Sequence, residues 1–218
     1  LITVLVSPDE EIGSNAERDL ITKLAEEHDL VLSFESAGAQ EQVRLATTGV
    51  QMAILSVKGR ASHAGSAPEQ GRNALYELAH QILQMRDLSD PAKEVKLNWT
   101  LASAGSVSNA IPADARAVGD MRANNTANFA PVEATIRERI KEHIIPDVTV
   151  SVQFEPLYPA MPFQAQSVAV AEHAQRLYAE AGGKLTINRV ATGGGTDAAF
   201  AALRAKAPVL EGMGVPGF

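Results

Sequence analysis

The 218 residues are enough for one full hydrophobic core or for two modest domains. A formal charge of -7 without a cluster of Lys and Arg argues against a nucleic-acid partner, because phosphate binding needs such clusters. The chain has no cysteine, which excludes disulfides, thiolate metal sites and a cysteine nucleophile, and no apolar stretch reaches the length of a membrane span.

An acidic segment follows the first apolar run. Residues 1–6 are rich in β-branched side chains and stop at Ser7-Pro8, which predicts a buried strand that ends in a loop. Ligands of open α/β sheets gather beyond the carboxyl ends of such strands, where Asp9-Glu10-Glu11 lies. A metal cation would relieve the repulsion among these carboxylates. Taken alone, the segment favours a solvated acidic turn.

The next elements repeat this order. Residues 15–28 have helical spacing of apolar side chains, and residues 29–34 predict a second strand that ends at Glu35. Strand, acid, helix, strand, acid is an α/β unit with both acidic groups at one edge of the sheet.

From about residue 49 the pattern is that of a separate domain. Alternating and helical spacings predict a β-α-β-β-α-β order, with strands at 51–59, 97–101, 115–123 and 148–154 and helices at 68–88 and 129–140. This order is the split ferredoxin-like pattern, an antiparallel four-stranded sheet with two helices on one face. Three prolines then lead to a helix at 166–181, a strand at 185–187, a helix at 198–204 and a strand at 208–210.

A glycine-rich segment, Thr192-Gly193-Gly194-Gly195-Thr196-Asp197, opens the helix at 198–204. It lacks the spacing of a P-loop or a dinucleotide-binding fingerprint. Thr196 or Asp197 could simply cap the helix. Three consecutive glycines exceed what a cap requires, and they favour close approach of the backbone to a carboxylate or amide ligand.

Three further side chains are candidates for a site. His63 lies in a loop of small residues, where its imidazole is able to reach outward, although a loop histidine needs no role. Asn109 precedes Ala110-Ile111-Pro112 and is also explained as a turn residue. Arg122 is either an ordinary surface cation or a planar fork for a substrate carboxylate.

Five segments in order resemble one family: Asp9-Glu10-Glu11, Leu32-Ser33-Phe34-Glu35, Ala61-Ser62-His63-Ala64-Gly65, Val107-Ser108-Asn109-Ala110-Ile111-Pro112 and Thr192-Gly193-Gly194-Gly195-Thr196-Asp197-Ala198. Together they are similar to the co-catalytic zinc exopeptidases of the glutamate carboxypeptidase (carboxypeptidase G) type, which are grouped with aminoacylases. The resemblance implies a partial α/β catalytic domain at 1–48 and 160–218. It also implies an inserted ferredoxin-like α+β dimerisation, or lid, domain at 49–159.

The resemblance also implies roles for individual residues. Glu10 would be the general base, Glu11 would bind one of two zinc ions, and Glu35 would bind the other. His63 would come from the lid domain of the partner subunit and stabilise the oxyanion. The residues implied to contact the substrate are Asn109, Arg122, Gly194, Gly195 and Thr196.

The family resemblance leads us to expect a zinc-dependent metallohydrolase that cleaves a C-terminal peptide or amide bond of a small peptide or acyl amino acid. We expect a homodimer through the inserted domain and no nucleic-acid or membrane partner. The family's His-x-Asp motif, bridging Asp and last ligand histidine are not in this sequence, which predicts an incomplete fragment that is inactive alone.

Several alternatives stay open at this stage. One is a dimerisation or interaction module without catalysis, and another is an N-acyl amino-acid deacylase or dipeptidase on the same scaffold. Residues 156–159 lack the arginine that binds the substrate carboxylate in glutamate-releasing relatives, so the leaving amino acid is open. Both the periplasm and the cytoplasm are compatible with the sequence.

Overall fold

The computed structural model describes residues 1–216, without the side chain of Lys93. The chain divides into two compact units. Unit 1 consists of Leu1–Val50, Ala123–Thr126 and the residues from Leu157 onward. Unit 2 consists of Gln51–Arg122 and Ala127–Pro156.

The described residues contain five α-helices and ten strands. The helices are α1 Arg18–Glu27, α2 Ala74–Gln84, α3 Phe129–Arg139, α4 Gln166–Glu180 and α5 Ala198–Ala202. The strands are β1 Val31–Leu32, β2 Gln42–Arg44, β3 Gly49–Lys58, β4 Ser62–His63, β5 Val95–Ala104, β6 Ala110–Ile111, β7 Asp114–Ala123, β8 Thr149–Tyr158, β9 Thr186–Asn188 and β10 Val209–Leu210. Within residues 1–216, no helix is both long enough and apolar enough to cross a bilayer.

Unit 2 is built on a four-stranded sheet with the strand order β5-β7-β3-β8. Along the chain its elements run β3, α2, β5, β7, α3, β8. A helix connects β3 to β5, and another connects β7 to β8. In each of these pairs one other strand of the sheet lies between the two connected strands, which defines the split βαβ arrangement. The predicted ferredoxin-like inserted domain is therefore confirmed. Its inner strand β3 is buried along most of its length, as expected for a central strand.

The two helices of unit 2 are joined at their carboxyl ends by side-chain amides. Gln81 Nε2 on α2 donates to the carbonyl oxygen of Glu142 at 2.7 Å. Gln84 Nε2 donates to the carbonyl oxygen of Arg139 at 3.0 Å. The Arg139 carbonyl also accepts the N–H of Glu142, so the two amides hold the turn after α3 against α2. At its start, α2 is capped by Asn73, whose side chain accepts the N–H groups of Leu75 and Tyr76.

Unit 1 contains two short pairs of parallel strands, β1 with β10 and β2 with β9. Helix α1 packs on α5, whose alanines allow close approach. The core around them is formed by Ile21, Ala25, Val50, Tyr158, Met161, Ala198, Ala199, Phe200, Ala201 and Val209. The strand predicted at 29–34 is confirmed in shorter form as β1, paired in register with β10.

The strand predicted at residues 1–6 is wrong. These residues form no strand, and the side chains of Leu1, Ile2 and Val6 are almost fully exposed. A β-branched composition favours extended backbone, but a strand also requires a partner for its N–H and C=O groups. Among the described residues, no strand pairs with this segment.

Candidate functional site

The acidic segment folds as a single 3-10 turn, Glu10–Ile12. The N–H of Gly13 donates to the Glu10 carbonyl oxygen at 2.8 Å, and the N–H of Ser14 donates to the Asp9 carbonyl oxygen at 2.9 Å. Gly13 ends the turn at a φ of 94°, which glycine adopts without strain. The turn leaves the Glu10 side chain partly buried and the Glu11 side chain exposed, so adjacent glutamates have different environments.

The pKa values of the Glu10 and Glu35 carboxyl groups are affected by the same two acidic side chains, Glu11 and Asp197. Burial raises the pKa of Glu10, and the charges of Glu35, Asp197 and Glu11 raise it further. Burial likewise raises the pKa of Glu35, with Glu11 and Asp197 adding to the effect and Arg44 opposing it. The two predicted acidic positions are thus brought into one region of unit 1, where negative charge accumulates.

The glycine-rich segment runs beside the backbone of Thr48. The N–H of Thr48 donates to the Gly194 carbonyl oxygen at 2.8 Å, and the N–H of Gly193 donates to Thr48 Oγ1 at 2.9 Å. Gly193 has a φ of 105°, so glycine is required there by the backbone. A Cβ on Gly194 would have no heavy atom within 4 Å. Gly194 therefore faces open space, and neither packing nor backbone conformation explains its glycine.

Gly195 is explained by packing. A Cβ at this position would lie 2.5 Å from Val50 Cγ2 and 3.0 Å from Tyr158 Cδ2. Thr196 is buried, and its hydroxyl lies next to the carboxyl of Glu211. Of the three residues predicted to line a pocket here, only Gly194 is exposed.

Tyr158 at the end of β8 is a site residue that the sequence did not predict. Its hydroxyl donates to the backbone carbonyl oxygen of Glu10, and its ring lies against Phe200 with the centroids 5.5 Å apart. The only signal in the sequence is a tyrosine between prolines just after the last predicted strand of the inserted domain.

Two more polar side chains in unit 1 were not predicted as site residues. Ser14 Oγ donates to the carboxylate of Asp197, at the start of α5. Glu211 follows β10 and is fully buried, and Arg44 Nη1 lies 3.7 Å from its Oε1. Among the described residues, no group forms a regular hydrogen bond with its carboxylate. Burial raises the pKa of Glu211 to about 7. An acid directly after an apolar strand, as at Glu35, is the signal that could have found it.

Unit 2 brings His63 and Asn109 together. Strand β4 pairs antiparallel with β6, so that His63 lies opposite Ala110, and the N–H of Ala64 donates to the Asn109 carbonyl oxygen at 2.8 Å. His63 Nδ1 accepts the N–H groups of Gly65 and Ser66, each at 3.1 Å. A ring nitrogen that accepts carries no proton, so the neutral imidazole holds its proton on Nε2. His63 thus presents a donor on its exposed side.

Arg122 is held by a neighbouring acid on the same strand. Its Nε and Nη2 donate to the two carboxylate oxygens of Asp120, both at 2.8 Å. The hydrogen bonds with Asp120 raise the pKa of Arg122, so the guanidinium stays charged. The bidentate geometry fixes the plane of the fork on β7. A substrate carboxylate at this position would share the guanidinium with Asp120.

Comparison with known proteins gives matches to part of the chain and to all of it. Residues 45–148 match the family model described as a peptidase dimerisation domain. All 218 residues, 100% of this chain, align with 52% of carboxypeptidase G2 from Pseudomonas sp. (strain RS-16) at 43% identity. The chain is thus similar to carboxypeptidase G2 and contains a match to the peptidase dimerisation domain. It spans about half the length of carboxypeptidase G2 itself.

Solved structures share the fold of this carboxypeptidase G2 relative. The aminopeptidase PepT from Bacillus cereus matches 93% of the chain and 53% of its own with a TM-score of 0.69 at 21% identity. An aminobenzoyl-glutamate utilization protein from Klebsiella pneumoniae matches 87% of the chain and 51% of its own with a TM-score of 0.62 at 19% identity. At these identities the likeness supports the fold alone.

The described carboxylates of unit 1 do not form a metal site by themselves. Within residues 1–216, no group of three or more His, Cys, Asp or Glu side chains is arranged to hold a metal ion. A zinc ion in a protein usually has four ligands, at least three of them from side chains. The mutual repulsion at Glu10 and Glu35 suits a cation nearby, so Glu11 and Glu35 fit as two carboxylate ligands of a larger set.

Proposed function

We propose that the protein containing this chain is a zinc-dependent metallohydrolase that cleaves a C-terminal peptide or amide bond. The observation that carries the proposal is the accumulation of carboxyl groups in unit 1, where the charges of Glu35 and Glu11 raise the pKa of Glu10 and the charge of Glu11 raises that of Glu35. The 43% identity to carboxypeptidase G2 supports the same reaction class. The substrate is a small peptide or an acyl amino acid.

In this proposal Glu10 is the general base. Its raised pKa suits a carboxylate that takes a proton from the attacking water and later returns it to the leaving amine. Glu11 and Glu35 would hold the two zinc ions as part of their ligand sets. A bound zinc ion supplies Lewis acidity and makes water a nucleophile at neutral pH.

The remaining candidate residues bind the substrate. The Nε2–H of His63, from the lid domain of the partner subunit, donates to the developing oxyanion. Asn109 and Arg122 orient the substrate, and the guanidinium contributes a planar pair of donors to its carboxylate. In unit 1, the backbone of Gly194 and Gly195, together with Thr196, contacts the substrate.

We also propose the domain boundaries and the dimer. Residues 1–48 and 160–218 form the catalytic part, and residues 49–159 form the lid through which two copies pair. Three exposed apolar side chains of α2, Leu75, Tyr76 and Leu83, support a partner surface on the lid. β5 is an edge strand of the four-stranded sheet and carries the exposed Leu101, a further candidate for partner contact.

The test uses the full-length protein that contains these residues, purified with zinc and given N-acyl glutamates and other acyl amino acids. We expect release of the amino acid, and Glu10→Gln is expected to lower the rate by roughly two to three orders of magnitude. Glu26→Gln on the exposed side of α1 is the matched control and keeps full activity. Undiminished turnover in Glu10→Gln with unchanged zinc content would contradict the proposal. The 218-residue chain alone is expected to be inactive.

A second candidate is a dimerisation or interaction module without catalysis. The restriction of the family-model match to residues 45–148 and the incomplete ligand set among the described residues favour it. It requires dimers without stoichiometric metal, which light scattering and metal analysis measure together. A monomer with full zinc occupancy would exclude this candidate.

The third candidate keeps the hydrolytic chemistry and changes the substrate. Tyr158 stands in the segment where an arginine was expected for glutamate release, which favours an N-acyl amino-acid deacylase or a dipeptidase. A comparison of kcat/KM across acyl glutamates, acyl apolar amino acids and dipeptides separates these substrates. A preference for acyl glutamates of more than about tenfold, or 1.4 kcal/mol, would exclude the third candidate.

A further inference from the structure

The Tyr158 side chain connects the two loops that carry the candidate site in unit 1. Its hydroxyl donates to the carbonyl oxygen of Glu10, the candidate base, and only 8% of the residue is exposed. The same side chain lies against the glycine-rich segment, because a Cβ on Gly195 would come within 3.0 Å of its Cδ2. One aromatic side chain thus contacts the turn on one side and the loop on the other.

The ring of Tyr158 packs against Phe200, which is in turn contacted by Arg18. Its centroid is 5.5 Å from that of Phe200 on α5, and the guanidinium carbon of Arg18 lies 5.0 Å from the Phe200 centroid. Arg18 Nη2 also donates to the carbonyl oxygen of Leu157 at 3.0 Å, next to Tyr158 in the chain. The ring therefore has little freedom to move away from the turn.

The hydroxyl of Tyr158 keeps its proton in this environment. Burial raises the pKa of Tyr158, and the charge of Glu10 raises it further, while Ser14 opposes the shift. The hydroxyl is consequently a donor at neutral pH. Ser14, whose own Oγ donates to Asp197, links this donor to the start of α5.

We propose that Tyr158 is a positioning residue for Glu10, which fixes the backbone of the base relative to the glycine-rich loop. A general base must lie within hydrogen-bond reach of the proton that it removes, so the position of its backbone affects the chemical step more than substrate binding. The proposal rests on the proposed function of Glu10. Removal of the hydroxyl alone, with the ring retained, isolates this contribution from packing.

The first experiment measures kcat and KM separately for Tyr158→Phe in the full-length protein. The ring still supports Gly195, so KM is expected to stay within about twofold, whereas kcat falls roughly tenfold or more because the base is no longer held. Tyr178→Phe is the matched control, since the Tyr178 hydroxyl also interacts with a glutamate, Glu41, on a different surface. Tyr178→Phe is expected to keep the kcat and KM of the parent protein. Unchanged kcat in Tyr158→Phe would overturn the proposal.

The second experiment needs no enzymatic activity and compares the 218-residue chain with its Tyr158→Phe variant. Amide hydrogen exchange is measured at Gly13 and Ser14, whose N–H groups close the turn, and at Ala201 in α5 as an internal reference. Loss of one hydrogen bond is expected to speed exchange at Gly13 and Ser14 about fivefold, with Ala201 unchanged. Equal amide exchange at Gly13 and Ser14 in the parent chain and in Tyr158→Phe would overturn the positioning role of Tyr158. If no full-length protein hydrolyses any substrate, the proposed function fails and this measurement still decides the role of Tyr158.

Discussion

The carboxylate of Glu77 accepts the backbone N–H of Ile145 at 2.9 Å, although its side chain has no exposed surface. Ile144 donates to the same oxygen at 3.0 Å, and the other oxygen accepts from Gln81 and His143. A buried carboxylate with four partners is satisfied without a counter-charge from Lys or Arg. Glu77 thus ties α2 to the segment after α3 and is a structural acid within unit 2.

Glu77→Gln is expected to lower the free energy of unfolding at pH 7 by about 1.5–3 kcal/mol, because a hydrogen bond to a charged group is lost and an amide N–H₂ faces backbone donors. Burial raises the pKa of Glu77, but the hydrogen bonds with Gln81, Ile145, His143 and Ile144 lower it below its ordinary value. A lowered pKa stabilises the fold above the unfolded-state value and loses this effect as pH falls through the folded-state value. In urea unfolding between pH 3 and pH 7, the free energies of unfolding of the parent protein and of Glu77→Gln should therefore become equal at the acidic end.

The exposed Glu69 supplies the control for that measurement. Glu69→Gln should leave the free energy of unfolding unchanged at every pH, since no partner of its side chain is lost. A Glu77→Gln protein as stable as the parent at pH 7 would contradict the structural role of Glu77.

Glu211→Gln is expected to raise the free energy of unfolding at pH 8, whereas Glu77→Gln lowers it at pH 7. Burial raises the pKa of Glu211 to about 7, so the folded protein binds a proton that the unfolded chain releases near the ordinary value. Stability therefore falls as pH rises between the two values. The glutamine variant escapes this loss and should be more stable at pH 8 by up to about 3 kcal/mol, with no difference near pH 4. Thermal unfolding in EDTA at both pH values measures this, and a variant less stable at pH 8 would contradict it.

The two neighbouring glycines of the glycine-rich loop provide a matched pair. Gly195→Ala places a Cβ 2.5 Å from Val50 Cγ2 and should cost about 1–3 kcal/mol of stability through overpacking. Gly194→Ala meets no atom within 4 Å and should leave stability unchanged while it weakens substrate binding. Denaturant unfolding of both variants, with KM of the full-length protein, tests this. Equal stability of the two variants would show that the loop adapts.

The proposed homodimer predicts that Leu83→Glu on α2 gives a monomer, because a buried charge without a partner is costly at an apolar interface. Val190→Glu in unit 1 is the control, since both side chains are 63% exposed. Light scattering across a concentration series measures the mass of each protein. A Leu83→Glu dimer of unchanged affinity would place the interface elsewhere.

The ring of His63 is expected to be the neutral Nε2–H tautomer at pH 8, since Nδ1 accepts the amides of Gly65 and Ser66. Long-range ¹⁵N–¹H NMR of the ring distinguishes a protonated nitrogen from an accepting one. His80 on α2, for which no such contact is present, serves as the comparison among the described residues. A proton on Nδ1 would mean that the imidazole presents an acceptor to the substrate.

Much of the architecture could be predicted because long elements carry repeated patterns. Leu97, Trp99 and Leu101 alternate as a strand requires, and β5 contains all three. Residues 1–6 carry an equally good pattern and form no strand, since the pattern does not supply a backbone partner. β4 and β6 are two residues each, too short for any periodicity, yet their pairing is what brings His63 beside Asn109.

The candidate site was predictable only where chemistry was visible in the sequence. Glu10, Glu11 and Glu35 follow apolar runs, which gave both their position and their charge. Tyr158 acts through its contacts with Glu10 and Gly195, which are distant in sequence, and no local signal encodes them.

Strand β8 has a practical consequence for any attempt to excise the dimerisation domain. The family-model match stops at residue 148, whereas β8, Thr149–Tyr158, is the neighbour of β3 in the sheet. A piece cut at 148 would leave one whole side of a central, apolar strand with open N–H and C=O groups, which recruit foreign strands. Self-association of such a piece would report a damaged edge and not the native contact, so the domain should be expressed through Tyr158.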